Sequence, residues 1–241
     1  MGPGQRPPGL RPWPDQPEGP RRLRQGQRLS DSPGALELRD AIAQLDRHLA
    51  FLTVRVADDG DPDLGVPLAR ATQIAPGWIE AYREVTIAQS GTAPAGMPAA
   101  FVLQYLLDAL ATVVATAALR TPFALDADPR LWSIGLDPTY LYPVAVQIRP
   151  GDHRAVTDDL ERHEVAWAAY RVVGEAIATH LPTPTRMSSR QRLGMVEDMW
   201  ELALARLVGS SPPRRLSCCL MYALPGCAPC AGCPRTAVAP A

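Results

Sequence analysis

Between Met97 and Leu119 the chain reads MPAAFVLQYLLDALATVVATAAL, long and apolar enough to be either a bilayer span or the central helix of a packed domain. Gln104 and Asp108 decide between the two. They stand one helical turn apart near the middle of the run, where a carboxylate in lipid costs about 2.5–3.5 kcal/mol. The many Ala and Thr residues also keep the run only moderately hydrophobic. The expectation is a buried core helix and no transmembrane span, with Gln104 and Asp108 turned toward a polar cavity or a polar neighbour. A buried polar pair of this kind is more often structural than functional, and the pair stands as a candidate pocket wall.

Around that helix the periodicity predicts an α+β fold, predominantly helical with a small β portion. Ser32 as cap and Pro33 at the first helical position open a helix carrying Leu38, Ile42, Leu45, Leu49 and Leu52. Arg39, Asp40, Asp46, Arg47 and His48 fall mostly on its solvent side. A short strand is expected at Thr53–Val56. The following ADDGDPDLG has the alternating Asp59, Asp61 and Asp63 of a calcium loop, but Leu64 and Arg70 stand where such a loop needs Gly and Glu, so it reads as a solvated acidic turn. Gly77–Ser90 is expected to be a helix or a helix–strand junction. Pro and Gly then punctuate a strand, turn, strand pattern over Leu131–Ile134 and Thr139–Ile148. Its aromatics, Trp132, Tyr140 and Tyr142, are expected mainly in the core, with a ligand pocket as the other use for them. Two helices follow, marked by Val165, Ala169, Val172 and Ala176 and by Leu193, Val196, Trp200, Ala203 and Leu207, with LPTPT as the break between them.

Composition excludes several chemistries. All 24 basic residues are Arg, and Lys and Asn are absent, so there is no phosphate-loop lysine, no pyridoxal Schiff base, no SxxK acylation site and no N-glycosylation acceptor. A net charge of -1 argues against nucleic acid, and no polybasic run adjoins an apolar segment to favour a membrane surface. His163-Glu164 lacks the second His of HExxH because Trp167 occupies that position, which leaves His163 as a surface residue. No GxGxxG follows a strand and no GxSxG occurs. Residues 1–33, rich in Pro, Gly and Arg, read as a disordered tail without a secretory h-region, and the chain as cytoplasmic. The folded body is then expected over 34–212 and a separate C-terminal segment over 213–241.

That segment holds all five cysteines, within LSCCLMYALPGCAPCAGCPR. Cys218 and Cys219 are adjacent, Cys230 and Cys233 form a CxxC pair ten residues on, and Cys227 lies between. Disulfides fit poorly in a chain without a secretion signal, and adjacent cysteines bond each other only with strain. Palmitoylation explains Cys218 and Cys219 but not the CxxC. Zinc is open, although a vicinal pair chelates a tetrahedral ion badly. An iron–sulfur cluster is favoured, because a two-iron rhomb accepts a ligand set split two and two.

CC-x10-C-x2-C near the C-terminus, preceded by RRLS and followed by PR, resembles the FhuF-type ferric-siderophore reductases over Arg214 to Arg235. The helical region from about residue 35 is compatible with that family's larger domain. The resemblance implies a C-terminal [2Fe-2S]-binding module with Cys218, Cys219, Cys230 and Cys233 as ligands. It implies a cytoplasmic enzyme that takes one electron from an external ferredoxin, flavodoxin or flavin reductase and reduces a ferric siderophore, releasing Fe(II). Cys227 departs from the pattern and creates CxxCxxCP, which is similar to half of a bacterial ferredoxin [4Fe-4S] signature. Arg190, Arg192, Arg214 and Arg215 are candidates for holding an anionic chelate or stabilising a reduced cluster. The alternative is a non-enzymatic module, iron–sulfur or zinc-stapled, that carries electrons or binds a partner in siderophore metabolism.

Overall fold

The computed structural model describes residues 33–45, 48–49, 51–57, 60–230 and 232–236. The N-terminal tail, the Ser32 cap and the expected positions of Asp46, Arg47 and Asp59 lie outside the described residues. More than half of the described residues are helical, and the fold is α+β and mainly helical. The helices are α1 (Pro33–Leu45), α2 (Ala71–Ser90), α3 (Met97–Arg120), α4 (Asp159–His180) and α5 (Ser189–Val208). Strands β1 (Thr53–Val56), β2 (Val66–Pro67), β4 (Trp132–Leu136) and β5 (Pro143–Ile148) form a sheet in the order β1-β5-β4-β2, while β3 (Phe123–Ala124) pairs antiparallel with β6 (Arg154–Ala155). In the larger sheet β1 runs parallel to β5, Val54 opposite Val146, and β4 runs antiparallel to both β5 and β2.

α3 is the axis of the body. Among the described residues it is the one helix long and apolar enough to cross a membrane, and the rest of the fold buries most of it, including Leu103, Leu106, Leu107 and Leu110. Pro98 near its start needs no intrahelical hydrogen-bond partner there. At its other end the buried Arg162 of α4 donates through Nε to the Ala118 carbonyl at 2.6 Å, placing a guanidinium on the negative pole of the helix. The α4 backbone presses against α3 and α5 at Gly174, where an added Cβ would sit 2.9 Å from Val196 Cγ1 and 3.3 Å from Leu107 Cδ2.

Several expectations shift. α1 stops at Leu45, and Leu52 enters the core from beyond it. α2 begins at Ala71 rather than Gly77, with Pro76 inside it. The buried stripe of α4 runs through Ala166, Tyr170, Val173 and Ile177, leaving Val172 exposed, because the Tyr170 ring buries more area than a valine and its hydroxyl reaches the Val196 carbonyl at 2.9 Å. In α5, Val196, Trp200 and Ala203 are buried as expected, whereas Leu193 is exposed. Trp132 is in the core, but Tyr140 and Tyr142 are 50% and 39% exposed and stack on each other at 6.4 Å in the turn before β5. His163 is half-buried, its ring 5.5 Å from that of Trp200. The acidic turn is tied down rather than merely solvated, since Arg149 reaches Asp63 Oδ1 at 3.1 Å and Gln147 donates to the Pro62 carbonyl at 3.2 Å.

The tight approach at Gly174 gives a first prediction. Gly174→Val forces the branched side chain into Val196 and Leu107 and is expected to destabilise the fold by about 1–3 kcal/mol, read as a lower urea midpoint at unchanged m-value.

Candidate functional site

After Gly209 the chain folds back over α5 and is caught by one carboxylate. Asp198, 4% exposed on α5, accepts from the Leu216 amide at 2.6 Å, the Ser217 amide at 2.8 Å and the Ser217 hydroxyl. Arg215 Nε lies 3.5 Å from the same carboxylate. Arg215 Nη2 also donates to Gln104 Oε1 of α3 at 3.1 Å and to Ser217 Oγ at 3.3 Å. A buried charge needs partners of this kind, and here each pole satisfies the other. Gln104, expected to face a polar neighbour, therefore meets the C-terminal segment, and Asp108 pairs with Arg206 of α5.

Three further contacts fit the segment to the body. Gln191 Nε2 donates to the Cys218 carbonyl at 2.8 Å. Gly194 leaves room for Leu216, whose Cβ would lie 3.1 Å from an added Cβ. The Arg215 amide donates to the Gly232 carbonyl at 2.7 Å, joining the two ends of the cysteine loop. Gly232 has φ +72°, and a side chain there would meet the Pro213 carbonyl oxygen at 2.2 Å.

On this support the structure brings Cys219 and Cys230 together, with their sulfurs 3.7 Å apart. Cys219 and Cys233 are 3% and 2% exposed, Cys218 and Cys230 half-buried, and Cys227 exposed. The CxxC turn closes through the Cys233 amide and the Cys230 carbonyl at 3.0 Å. Leu220 adopts a left-handed conformation, φ 66°, which carries its amide to Cys218 Sγ at 3.4 Å. The Cys230 thiol is pushed up to about 11, first by burial, then by its neighbour Cys219 and in smaller part by Cys233, against an opposing pull from Arg215.

A tetrahedral site with metal–sulfur bonds of about 2.3 Å has a sulfur–sulfur edge of about 3.8 Å. The Cys219–Cys230 separation fits that edge, so this pair matches two thiolates on one metal atom. Among the described residues no three His, Cys, Asp or Glu side chains converge on a single metal-sized point. Of the arginines singled out above, Arg215 alone bears on a thiol. Arg192 closes the end of α4, donating to the Ala178 and Leu181 carbonyls at 2.8 Å, Arg214 reaches the Pro234 carbonyl at 3.4 Å, and Arg190 is exposed.

An aromatic group flanks the thiols. The Tyr82 and Tyr105 hydroxyls are 3.1 Å apart, and Phe101 and Trp78 stack around them. Burial pushes the Tyr82 phenol above its ordinary value, and the charge of Cys219 adds to the shift. Tyr105 is raised further, by burial and then by its bond with Tyr82. Beyond Tyr105 opens a cavity of about 620 Å³, walled also by Asp108, Thr112, Tyr142, Arg206 and Leu207. Sequence reasoning missed Asp198 and the tyrosine pair. The one available signal for Asp198 was a carboxylate on the apolar side of α5, between Met195 and Trp200.

No model of a known protein family matches the chain, and no curated protein matches it.

Two predictions follow from this geometry. Asp198→Ala leaves Arg215 buried without its counter-charge and is expected to lower stability by about 3–5 kcal/mol; alkylation of Cys219 and Cys233, negligible in the parent, should become measurable under native conditions. In the metal-free, reduced chain, iodoacetamide at pH 8 should label Cys227 first and Cys230 slowly. The sign follows from the raised Cys230 value: burial holds it as neutral thiol, so its labelling rate should climb about tenfold per pH unit until the pH nears 11. A Cys230 rate already at its plateau by pH 8 would contradict that assignment.

Proposed function

We propose that the chain is an iron–sulfur ferric-siderophore reductase in which Cys218, Cys219, Cys230 and Cys233 hold a [2Fe-2S] cluster. The observation that carries this reading is the Cys219–Cys230 pair, one thiol buried and the other half-buried, set at the spacing of two thiolates sharing one metal atom. A two-iron cluster takes its four thiolates two to an iron, so a preformed pair answers to half of that ligand set. The four ligands of this reading are the cysteines that the resemblance implies, and Cys227, which is exposed, is left out of the set.

When bound, the cluster supplies one-electron transfer in a chain that lacks a dinucleotide fingerprint. The protein's own groups do the rest. Arg215 opposes the rise of the Cys230 thiol and so favours its ionised, metal-binding form. Asp198 holds Arg215 there, and Gln104 fixes the guanidinium against the central helix. Burial of Cys219 and Cys233 keeps water from the sulfurs, while the exposed stretch around Cys227 gives an external ferredoxin, flavodoxin or flavin reductase its approach. In the substrate, ferric iron is a hard cation held by oxygen donors; one added electron weakens those bonds and frees Fe(II).

A second reading, a zinc-stapled or electron-carrying module without reductase activity, draws on the same anchoring, since a metal on the cysteines would rivet the segment to α3 and α5. Composition and turnover separate the two. Protein purified without oxygen is expected to be brown, with about two irons and two acid-labile sulfides per chain. Dithionite-reduced protein should transfer an electron to a ferric trihydroxamate when ferrozine traps the Fe(II). Ser at Cys218, Cys219, Cys230 or Cys233 should abolish the colour, and Cys227→Ala should retain it. A colourless chain with one zinc supports the staple, and a reduced cluster that ignores the ferric chelate but passes its electron to a protein acceptor supports the carrier.

A further inference from the structure

The cavity beyond Tyr105 lies between α3 and α5, with the segment after α1 and the start of β5 forming its sides. Its volume, about 620 Å³, is that of a site for a sizeable small molecule. Leu49, Leu207, Pro143 and the rings of Tyr105 and Tyr142 make its surface largely apolar. Its one charged pair is already neutralised: both Arg206 guanidinium nitrogens donate to the Asp108 carboxylate, and Nη2 also donates to Thr112 Oγ1 at 3.0 Å. A charged ligand entering here would find no free counter-charge in this pair, whereas a neutral one leaves the pair intact. The position is as informative as the lining. Tyr105 is bonded to Tyr82, and Gln104, its neighbour on α3, accepts from Arg215 three residues before Cys218, so the cavity wall and the cysteine segment meet on one turn of α3.

We infer that this cavity is the seat of the ferric chelate, and that the chelate it takes carries no net charge, with iron wrapped in oxygen donors and a carbon shell outward. The identity of the ligand rests on the reductase reading above. In the reaction the ferric ion gains one electron from the external reductant, and no bond between chelate and protein forms or breaks.

The test uses the gallium(III) complex of a neutral trihydroxamate, which copies the ferric chelate but accepts no electron, titrated calorimetrically into the full chain. One equivalent should bind. Thr112→Phe, which fills the cavity from α3, should weaken binding at least tenfold. Tyr142→Ala, at a half-exposed rim position where folding is not at stake, should weaken it severalfold. Binding that neither substitution changes would overturn the inference, as would the absence of binding in a chain that still reduces the ferric chelate in the ferrozine assay; in both cases the reductase reading stands. Cavity-dependent binding by a chain that never reduces the chelate upholds the site and sinks the reductase reading instead.

Discussion

The Asp198 carboxylate holds together what would otherwise be two separate pieces of chain. Among its described residues the segment from Ser210 to Thr236 has a single short helical turn, at Met221–Ala223, and most of its residues from Tyr222 to Pro229 are exposed. It cannot order itself by burying apolar area. Order comes from backbone and side-chain donors converging on one buried anion, which α5 presents at a fixed height. Leu216 and Ser217 are pinned directly, Cys218 and Cys219 follow within two residues, and the Arg215 amide draws in the far end of the loop through Gly232. The thiol geometry is therefore downstream of a single acid–base contact in the core.

α3 extends that constraint to the rest of the molecule. Four of its positions within two turns face different tasks: Gln104 receives Arg215, Tyr105 meets Tyr82, and Asp108 and Thr112 hold Arg206. Packing on every side leaves this helix little freedom to bend. The cysteine segment and the cavity are thus mounted on one rigid rod, and their separation is set by helical rise rather than by loops.

What the sequence disclosed tracks how local each cause is. The central helix was legible because length, apolarity and two polar residues sufficed, and the role of Gln104 and Asp108 as contacts to polar neighbours was foreseeable from the same argument. The strand pair around Trp132 was legible from Pro and Gly punctuation. The α4 face was misread because spacing alone does not weigh a tyrosine against a valine, and Tyr140 and Tyr142 were misread because a turn can expose rings that a strand would bury. Asp198 was hard to see for a deeper reason: two of its four donors are backbone amides, which every residue but proline carries, so no side-chain pattern advertises them. The cavity is assembled from four segments far apart in the chain and has no linear signature at all.

The order in which the parts are made adds one consequence. Every thiol comes after α5 in the chain, and the surface that receives the segment, Gln104, Gln191, Gly194 and Asp198, comes before it. At about 5–20 residues per second of synthesis, Asp198 is made one to a few seconds ahead of Cys218. The helical body up to α5 thus carries no thiol that could cross-link it. The cysteines follow the residues that receive them, so the thiol site closes only onto a surface made before it.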